Sequence, residues 1–396
     1  MRRRWPEWVA LAVAAAIWWP VMHLCWRPDV SPGGEELDPI ALPMARSLEE
    51  MWGTNSSGHT EIEPMRRINP EWDFMGRTFF ILGEANLALR VPGREGRCLQ
   101  SIDRLLADTL AMEQQHGMEH FLMDYHRARP WVEQPPASIF VDGEIALCLG
   151  ARRLVSDDDR WRKAFRSRVG RIVERMNRGP VLCAESYPDE CWMFCNTAAM
   201  AALRMAEVLD GEDHGALRAA WLRQLKNHLV DPGSGLLISA FQLDGTPHPA
   251  GPGPEGSTIW FAAHMLQVID PGFAREQYDL AKRHLGRSLL GFGYSREWPG
   301  LALAGMDVDS GPVLPVLGTS ASASGLALLG AAAFEDHSYY RQLRTSLEIG
   351  AFPRPGVNDA GDESLRYLMA GAIGDPVIFY SAVAGPLWDR LRPTAP

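Results

Sequence analysis

The sequence predicts an all-α fold, an α/α toroid of about six helical hairpins, and three features of its 396 residues predict it. Helical hydrophobic spacing runs through almost the whole chain after residue 38, and no segment shows a convincing strand pattern. The helical segments come in close pairs that recur at intervals of roughly 45 to 65 residues, with long Gly/Pro-rich connections such as 231–256 and 291–319 between them. Within each pair the first member is small and sparingly charged while the second is rich in Arg, Lys and Asp, as an inner ring and a wetted outer ring require. An open α-solenoid shares this rhythm and stays as the alternative, because periodicity does not encode closure.

Taken in order, the chain starts with Arg2, Arg3 and Arg4 ahead of an apolar run from Trp8 to Trp26 that is broken by Pro20 and His23. A bilayer core needs about 20 apolar residues, and basic flanks stay on the cytoplasmic side. Residues 1–27 therefore read as a single-pass inner-membrane anchor with the following domain in the periplasm. A cleaved signal segment is the alternative, for which Trp26-Arg27-Pro28 is a poor site. Residues 28–37 read as a linker and 38–396 as the toroid domain. A helix from Pro39 to Met51 and a polar loop precede Asn69-Pro70, an N-cap with proline in the first turn. That signal opens a helix with Trp72, Met75, Phe79 and Leu82 in register, ended by Pro92-Gly93. Further helices are expected at 95–115, 138–154, 158–177, 190–209, 213–229, 257–269, 272–290, 320–334, 336–349 and 376–392. Those beginning near 72, 138, 190, 257 and 320 carry the inner-ring composition.

Hydrophobic content of 46% and charged content of 22% suit a large buried core. A net charge of -10, with the one dense basic cluster at the N-terminus, excludes a nucleic-acid partner. Six cysteines in an oxidising compartment leave disulfides open, with Cys183 and Cys191 the nearest pair. No spacing resembles a zinc site, and neither a metal nor a cofactor is expected.

The densest chemistry lies in 183–207, CAESYPDECWMFCNTAAMAALRMAE. Asp189 after Pro188 reads as the N-cap of a helix that carries Cys191 and Cys195 at i and i+4. In a toroid the pocket lies where inner helices begin, so Cys195 and Asp189 are catalytic candidates, with Glu190, Cys183, Tyr187 and Asn196 as substrate-binding neighbours. The plainer reading makes Cys195 a small apolar filler and Asp189 only a cap. Asp142 and Glu144 open the helix at 138; burial would raise either carboxyl toward neutrality and fit it for general-acid work, whereas an exposed helix start would make both ordinary. Trp72, Asp73 and Trp260 are candidate wall residues, although single aromatics on apolar faces are usually core. Asp307 joins them from a Gly/Pro loop without EF-hand spacing.

These residues also carry a resemblance. The run from Arg171 through Leu285, with Pro188-Asp189 leading to Cys195-Asn196, then Ala220-Trp221-Leu222, Leu229-Val230-Asp231-Pro232, Thr258-Ile259-Trp260 and Asp270-Pro271-Gly272, resembles the linalool dehydratase/isomerase family. Residues 305–330, starting Gly305-Met306-Asp307, are similar to a loop of that family. The resemblance implies an α/α toroid enzyme that is periplasmic, often a homo-oligomer and cofactor-free. It implies removing or adding water, or shifting a hydroxyl, on a small terpene alcohol, with Cys195 beside the substrate. The second family cysteine falls at Ser186, and Glu144 stands where the family has a histidine.

Three functional readings follow. The first is a membrane-tethered lyase or isomerase acting on a small hydroxylated, partly apolar substrate, with Glu144 or Asp189 exchanging protons and Cys195 lining the site. The second is a carbohydrate-processing toroid with two carboxylates across a sugar cleft, against which the pocket-forming loops show few aromatic sugar platforms. The third is a non-catalytic envelope scaffold whose cysteines have become a disulfide.

Overall fold

The computed structural model of the chain describes residues 5–26, 28, 30, 32–33, 36–53, 59–249, 253–300, 311, 313–314, 317–358 and 360–392. Its helices are α1 (Trp5–Trp26), α2 (Ala41–Met51), α3 (His59–Ile68), α4 (Pro70–Arg90), α5 (Glu95–His116), α6 (Ile139–Val155), α7 (Asp159–Arg178) and α8 (Met193–Asp210). They continue as α9 (Gly215–His228), α10 (Gly256–Leu266), α11 (Pro271–His284), α12 (Ala321–Ala333), α13 (His337–Gly350), α14 (Gly371–Val383) and the short α15 (Pro386–Asp389).

Local caps explain many of the starts. The Asn69 side chain accepts from Glu71 N at 2.9 Å, Asp270 from Phe273 N at 3.0 Å and Ser320 from Ala323 N at 2.9 Å. Packing then closes the ring: α4 lies against α6, α6 against α8, α8 against α10, α10 against α12, α12 against α14, and α14 returns to α4. The open solenoid is thereby set aside. The last seam needs close approach, since a Cβ on Gly83 of α4 would stand 2.5 Å from the Phe379 ring of α14. Helices α5, α7, α11 and α13 pack outside the inner helix each follows. The sixth outer place is taken by α2 and α3, which pack on α14, so this unit is assembled from both ends of the chain. Arg344 holds Asp38, and Arg366 holds both Glu61 and Asp375 across the junction.

Four small antiparallel pairs interrupt the helical pattern. β1 (Cys191–Trp192) pairs with β2 (Ala240–Phe241), β3 (Gly286–Leu289) with β4 (Phe292–Ser295), β5 (Val313–Leu314) with β6 (Thr319–Ser320), and β7 (Pro353–Val357) with β8 (Glu363–Tyr367). The helix expected over 272–290 stops at His284 because Leu290 (φ 53°) and Gly291 (φ 87°) make a two-residue hairpin turn with both φ positive. Likewise the helix expected at 190–209 begins only at Met193, after β1. The one expected at 376–392 starts at Gly371 and stops before Gly385-Pro386.

Helix α1 forms, and Trp19 rests on the β3–β4 hairpin, donating from Nε1 to Leu290 O at 3.1 Å and meeting Phe292 edge-on at 5.4 Å. Among the described residues, however, no helix is long and apolar enough to cross a membrane. That finding corrects the expected inner-membrane anchor over 1–27 and the single-pass periplasmic placement that depended on it. Glu7 near the start of the run and Pro20 and His23 toward its end interrupt the apolar stretch.

Candidate active site

The inner helices open by their N-terminal halves onto one cavity of about 1090 Å³. Its floor is an aromatic plug in which Phe194 stacks on Phe261 at 3.7 Å between centroids and Phe79 meets Phe261 edge-on at 5.8 Å. Beside this plug Tyr380 pairs with His264 Nε2 at 2.6 Å and packs against Phe79. Burial drops the His264 pKa to about 3, so its ring is neutral there.

One wall is built by α4, where Glu71 and Trp72 in the first turn and Met75 and Phe79 below them face the cavity. Tyr187 joins this wall: its hydroxyl donates to Glu71 Oε1 and accepts Met123 N–H at 2.8 Å, and its ring stacks on Tyr125 at 4.4 Å. Tyr125, Tyr187, Trp192, Phe194 and Cys195 all line the cavity. Glu255, at the N-cap position of α10 without a side-chain capping bond and 7% exposed, also lines the cavity, followed by Ser257 and Thr258.

The segment ahead of α8 is fixed by backbone contacts. The buried Glu185 carboxylate accepts from Val132 N, Glu133 N and Asp189 N at 3.0, 2.8 and 2.6 Å. Pro188-Asp189 is a tight turn and not a helix start: Tyr187 and Glu190 pair across it and Asp189 sits at φ 50°. The cap reading is corrected for that reason, and the Asp189 carboxylate accepts from Gln242 Nε2 at 2.9 Å and Leu243 N at 3.3 Å. Cys191 lies on β1, so it does not share a helix face with Cys195. Asn196 spends its amide on Ala184 N, Ala184 O and Trp192 O, stitching loop to helix. Glu190 accepts from Trp192 Nε1 and, at 3.4 Å, from Tyr125 O–H, and faces Arg129 and His248 at 3.7 and 3.8 Å. It thus holds two aromatics of the wall without lining the cavity itself.

The other candidates are dispersed. Asp142 turns to the outer ring and binds Arg168 at 2.8 Å and Arg171 at 2.7 Å. Glu144 lies behind the cavity wall, 1% exposed, with Thr78 Oγ1 donating to Oε2 at 2.6 Å. Burial raises its pKa to about 8. A Cβ on the neighbouring Gly143 would already be 3.3 Å from Cys195 O and from Ala199, so α6 and α8 touch at this level. Cys195 faces the cavity, and burial holds its thiol well above the ordinary range, which keeps it protonated. Cys183 is buried beside Trp221 of the outer ring, its pKa pushed by burial to about 12. Cys183 and Cys191 are free thiols, so they form no bridge. Asp73 is an ion-pair centre for Arg66 at 2.6 Å and Arg77 at 3.0 Å, and Trp260 donates to Ser295 Oγ inside the core. Asp307 lies outside the described residues. Of the predicted set, Cys195, Tyr187 and Trp72 meet in the cavity.

Sequence reasoning passed over Glu71 and Glu255. A signal existed for the first: Glu71, Met75 and Phe79 share one face at i, i+4 and i+8, whereas Asp73 has its arginine at i+4 on another. Nothing in the Gly/Pro-rich connection before residue 256 marks Glu255.

No protein-family model matches the chain. Solved structures with a similar course include a family 76 glycoside hydrolase, an α-mannanase of Bacteroides thetaiotaomicron, at 10% identity over 78% of this chain and 85% of that one, TM-score 0.49. A second is an inactive α-1,6-mannanase variant of Salegentibacter sp. HEL1_6 in complex with α-1,6-mannotetrose, at 12% identity over 79% and 89%, TM-score 0.47. A third is a family 76 glycoside hydrolase from a bovine Bacteroides thetaiotaomicron strain, at 12% identity over 79% and 68%, TM-score 0.42. At such identities and TM-scores the likeness assigns no activity to this chain. The findings nevertheless correct the linalool dehydratase/isomerase resemblance and the lyase or isomerase chemistry drawn from it, since no family model supports that family and these neighbours are glycoside hydrolases.

Proposed function

We propose that the protein processes carbohydrate, binding a glycan in the mouth of the toroid with Glu71 and Glu255 as its acid–base pair. The observation that carries this reading is the presence of both carboxylates in one cavity with the aromatic faces of Trp72, Tyr125, Tyr187, Trp192 and Phe194. Aromatic faces pack against the apolar faces of sugar rings, and carboxylates bind hydroxyls and move protons at the glycosidic oxygen. The aromatic wall also answers the objection from sequence, because its members come from α4, β1, α8 and two loops and look sparse only when read along the chain. Tyr187 donates to Glu71 Oε1 and fixes its position in the first turn of α4. Glu71 and Glu255 together supply the two carboxyl groups that such chemistry needs, one to give a proton to the leaving oxygen and one to serve as base or nucleophile. The protonated Cys195 is wall, not nucleophile.

The test is release of reducing sugar from an oligosaccharide panel that includes α-1,6-mannotetraose. Glu71→Gln and Glu255→Gln should each lower turnover by about 10²–10⁴-fold while binding persists. If no saccharide in the panel is bound or cleaved, or both variants keep full turnover, the reading is lost.

A further inference from the structure

The cavity's two sides differ in kind. At about 1090 Å³ it stands at the upper end of small-ligand pockets, about 300–1,000 Å³. Among the described residues, every carboxylate that lines it, Glu61, Glu71 and Glu255, comes from α3, α4 or the start of α10. The side built by α12, α13 and the β8–α14 connection contributes no titratable lining group among the described residues. It presents Leu328, Leu343, Leu347, Met369, Ile373 and Val377 to the same continuous space, with Ser320, Ser322, Ser324 and Ser346 its hydroxyl-bearing members. The apolar character reaches the surface, where the lining residues Leu314, Leu368 and Met369 are 58%, 57% and 66% exposed. Exposed apolar groups contiguous with a cavity mark a ligand-binding surface.

We infer that the substrate is an amphipathic glycoside: a sugar headgroup held between Glu71, Glu255 and the aromatic wall, with one aliphatic chain lying in the arm between α12, α13 and α14. This rests on the carbohydrate reading above. A free oligosaccharide would leave the arm to water, and a plain hydrocarbon would leave the carboxylates unused; a glycoside with a single alkyl chain matches both sides at once.

The experiment measures calorimetric affinity of the full chain for methyl, hexyl and octyl β-D-glucosides and α-D-mannosides below their micelle concentrations, with 1-octanol as the headless control. Affinity should rise roughly tenfold for every two methylenes, since each buried methylene contributes about three- to fourfold. Leu347→Asn, and separately Leu347→Trp, which fills the arm without adding charge, should each cut the octyl-to-methyl affinity ratio at least tenfold. Agreement of the two variants separates loss of the arm from misfolding of either. A ratio near one in the unaltered protein, with oligosaccharides still cleaved, overturns this inference and leaves the carbohydrate reading standing. Octanol binding as tightly as octyl glycosides, with no saccharide of the panel cleaved, overturns both.

Discussion

Acidic side chains of the toroid that meet arginines where helices join and those buried between helices without one live under opposite rules. Several carboxylates at helix contacts have arginines: Asp142 of α6 has Arg168 and Arg171 of α7, Asp103 of α5 has Arg152 of α6, and Asp210 at the end of α8 has Arg153 of α6 and Arg166 of α7. Two other buried acids have none: Glu144 of α6 has only the Thr78 hydroxyl of α4, and Glu84 of α4 faces the Cys98 thiol of α5 while the nearby Arg94 and Arg97 are engaged by Glu49. The arginine pairs hold helices together, and Arg153 and Arg166 outweigh burial to hold the Asp210 carboxyl below the usual carboxylate range. Burial instead raises Glu84 and Glu144 to about 8, so that both are neutral carboxylic acids at pH 7. A buried acid is evidence of chemistry only after its counter-ion has been sought.

The most severe way to break the comparison is to remove an arginine from the seam. Arg153 is closed from solvent and grips Asp210 through two nitrogens at 2.8 and 3.0 Å, with Asp157 at 2.7 Å. Stripping one partner from a buried pair costs about 3–5 kcal/mol, because the remaining charge is left without compensation. Arg153→Met should lose that much stability in chemical denaturation, and Arg153→Met with Asp210→Leu should recover a substantial part. A single-variant loss below about 1 kcal/mol, as for an exposed pair, would show that the seam is decorated with charge and not held by it.

Next in size is the pH dependence that the two inner acids impose. A carboxyl whose folded pKa is raised binds its proton more tightly when folded, so its contribution is favourable below the unfolded value near 4.5 and declines as pH rises toward about 8. Across that window the free energy of unfolding should fall by about 1.4 kcal/mol per pH unit for each group. Glu84→Gln and Glu144→Gln should each flatten the slope by one such increment, read from denaturant midpoints between pH 5 and 8. Asp210→Asn, which removes a carboxyl already held below the usual carboxylate range, should leave the slope between pH 5 and 8 as it is and lower the whole curve. An unchanged slope in both glutamine variants would remove the distinction between the two sets of acids.

Much of the architecture was legible because caps and helical periods are local. Asn69-Pro70 announced α4, the inner and outer compositions separated as expected, and the cavity lies where inner helices begin. Closure was not legible, because the sixth unit joins α14 to α2 and α3 from the far end of the chain. The β3–β4 hairpin hid behind Leu289-Leu290, whose apolar side chains continue a helical pattern while the backbone turns at Leu290 and Gly291. Site residues were harder. Asp189 and Asn196 belong to the most conspicuous stretch of the sequence, yet their side chains are consumed by a turn and a loop stitch. Direction around a helix decides such cases, and it is set by partners distant in sequence. Asp142 and Glu144 are two residues apart on α6 and face different rings.

The finest test of the comparison concerns the single polar contact that Glu144 keeps. Thr78 has one hydroxyl proton and two acceptors in reach, Glu144 Oε2 at 2.6 Å and Phe74 O at 3.4 Å. When Glu144 is ionised, Thr78 donates to it; when Glu144 is neutral, the carboxyl can donate to Thr78, whose own proton turns to Phe74. This bond favours the ionised form and restrains the pKa that burial raises. Thr78→Val should therefore cost about 1 kcal/mol at neutral pH and push the upper edge of the Glu144 window above about 8. Infrared titration of the protonated carboxyl band, with Glu144→Gln as the blank, reads that edge directly. A downward move would mean that another donor, and not Thr78, keeps the inner acid from rising further.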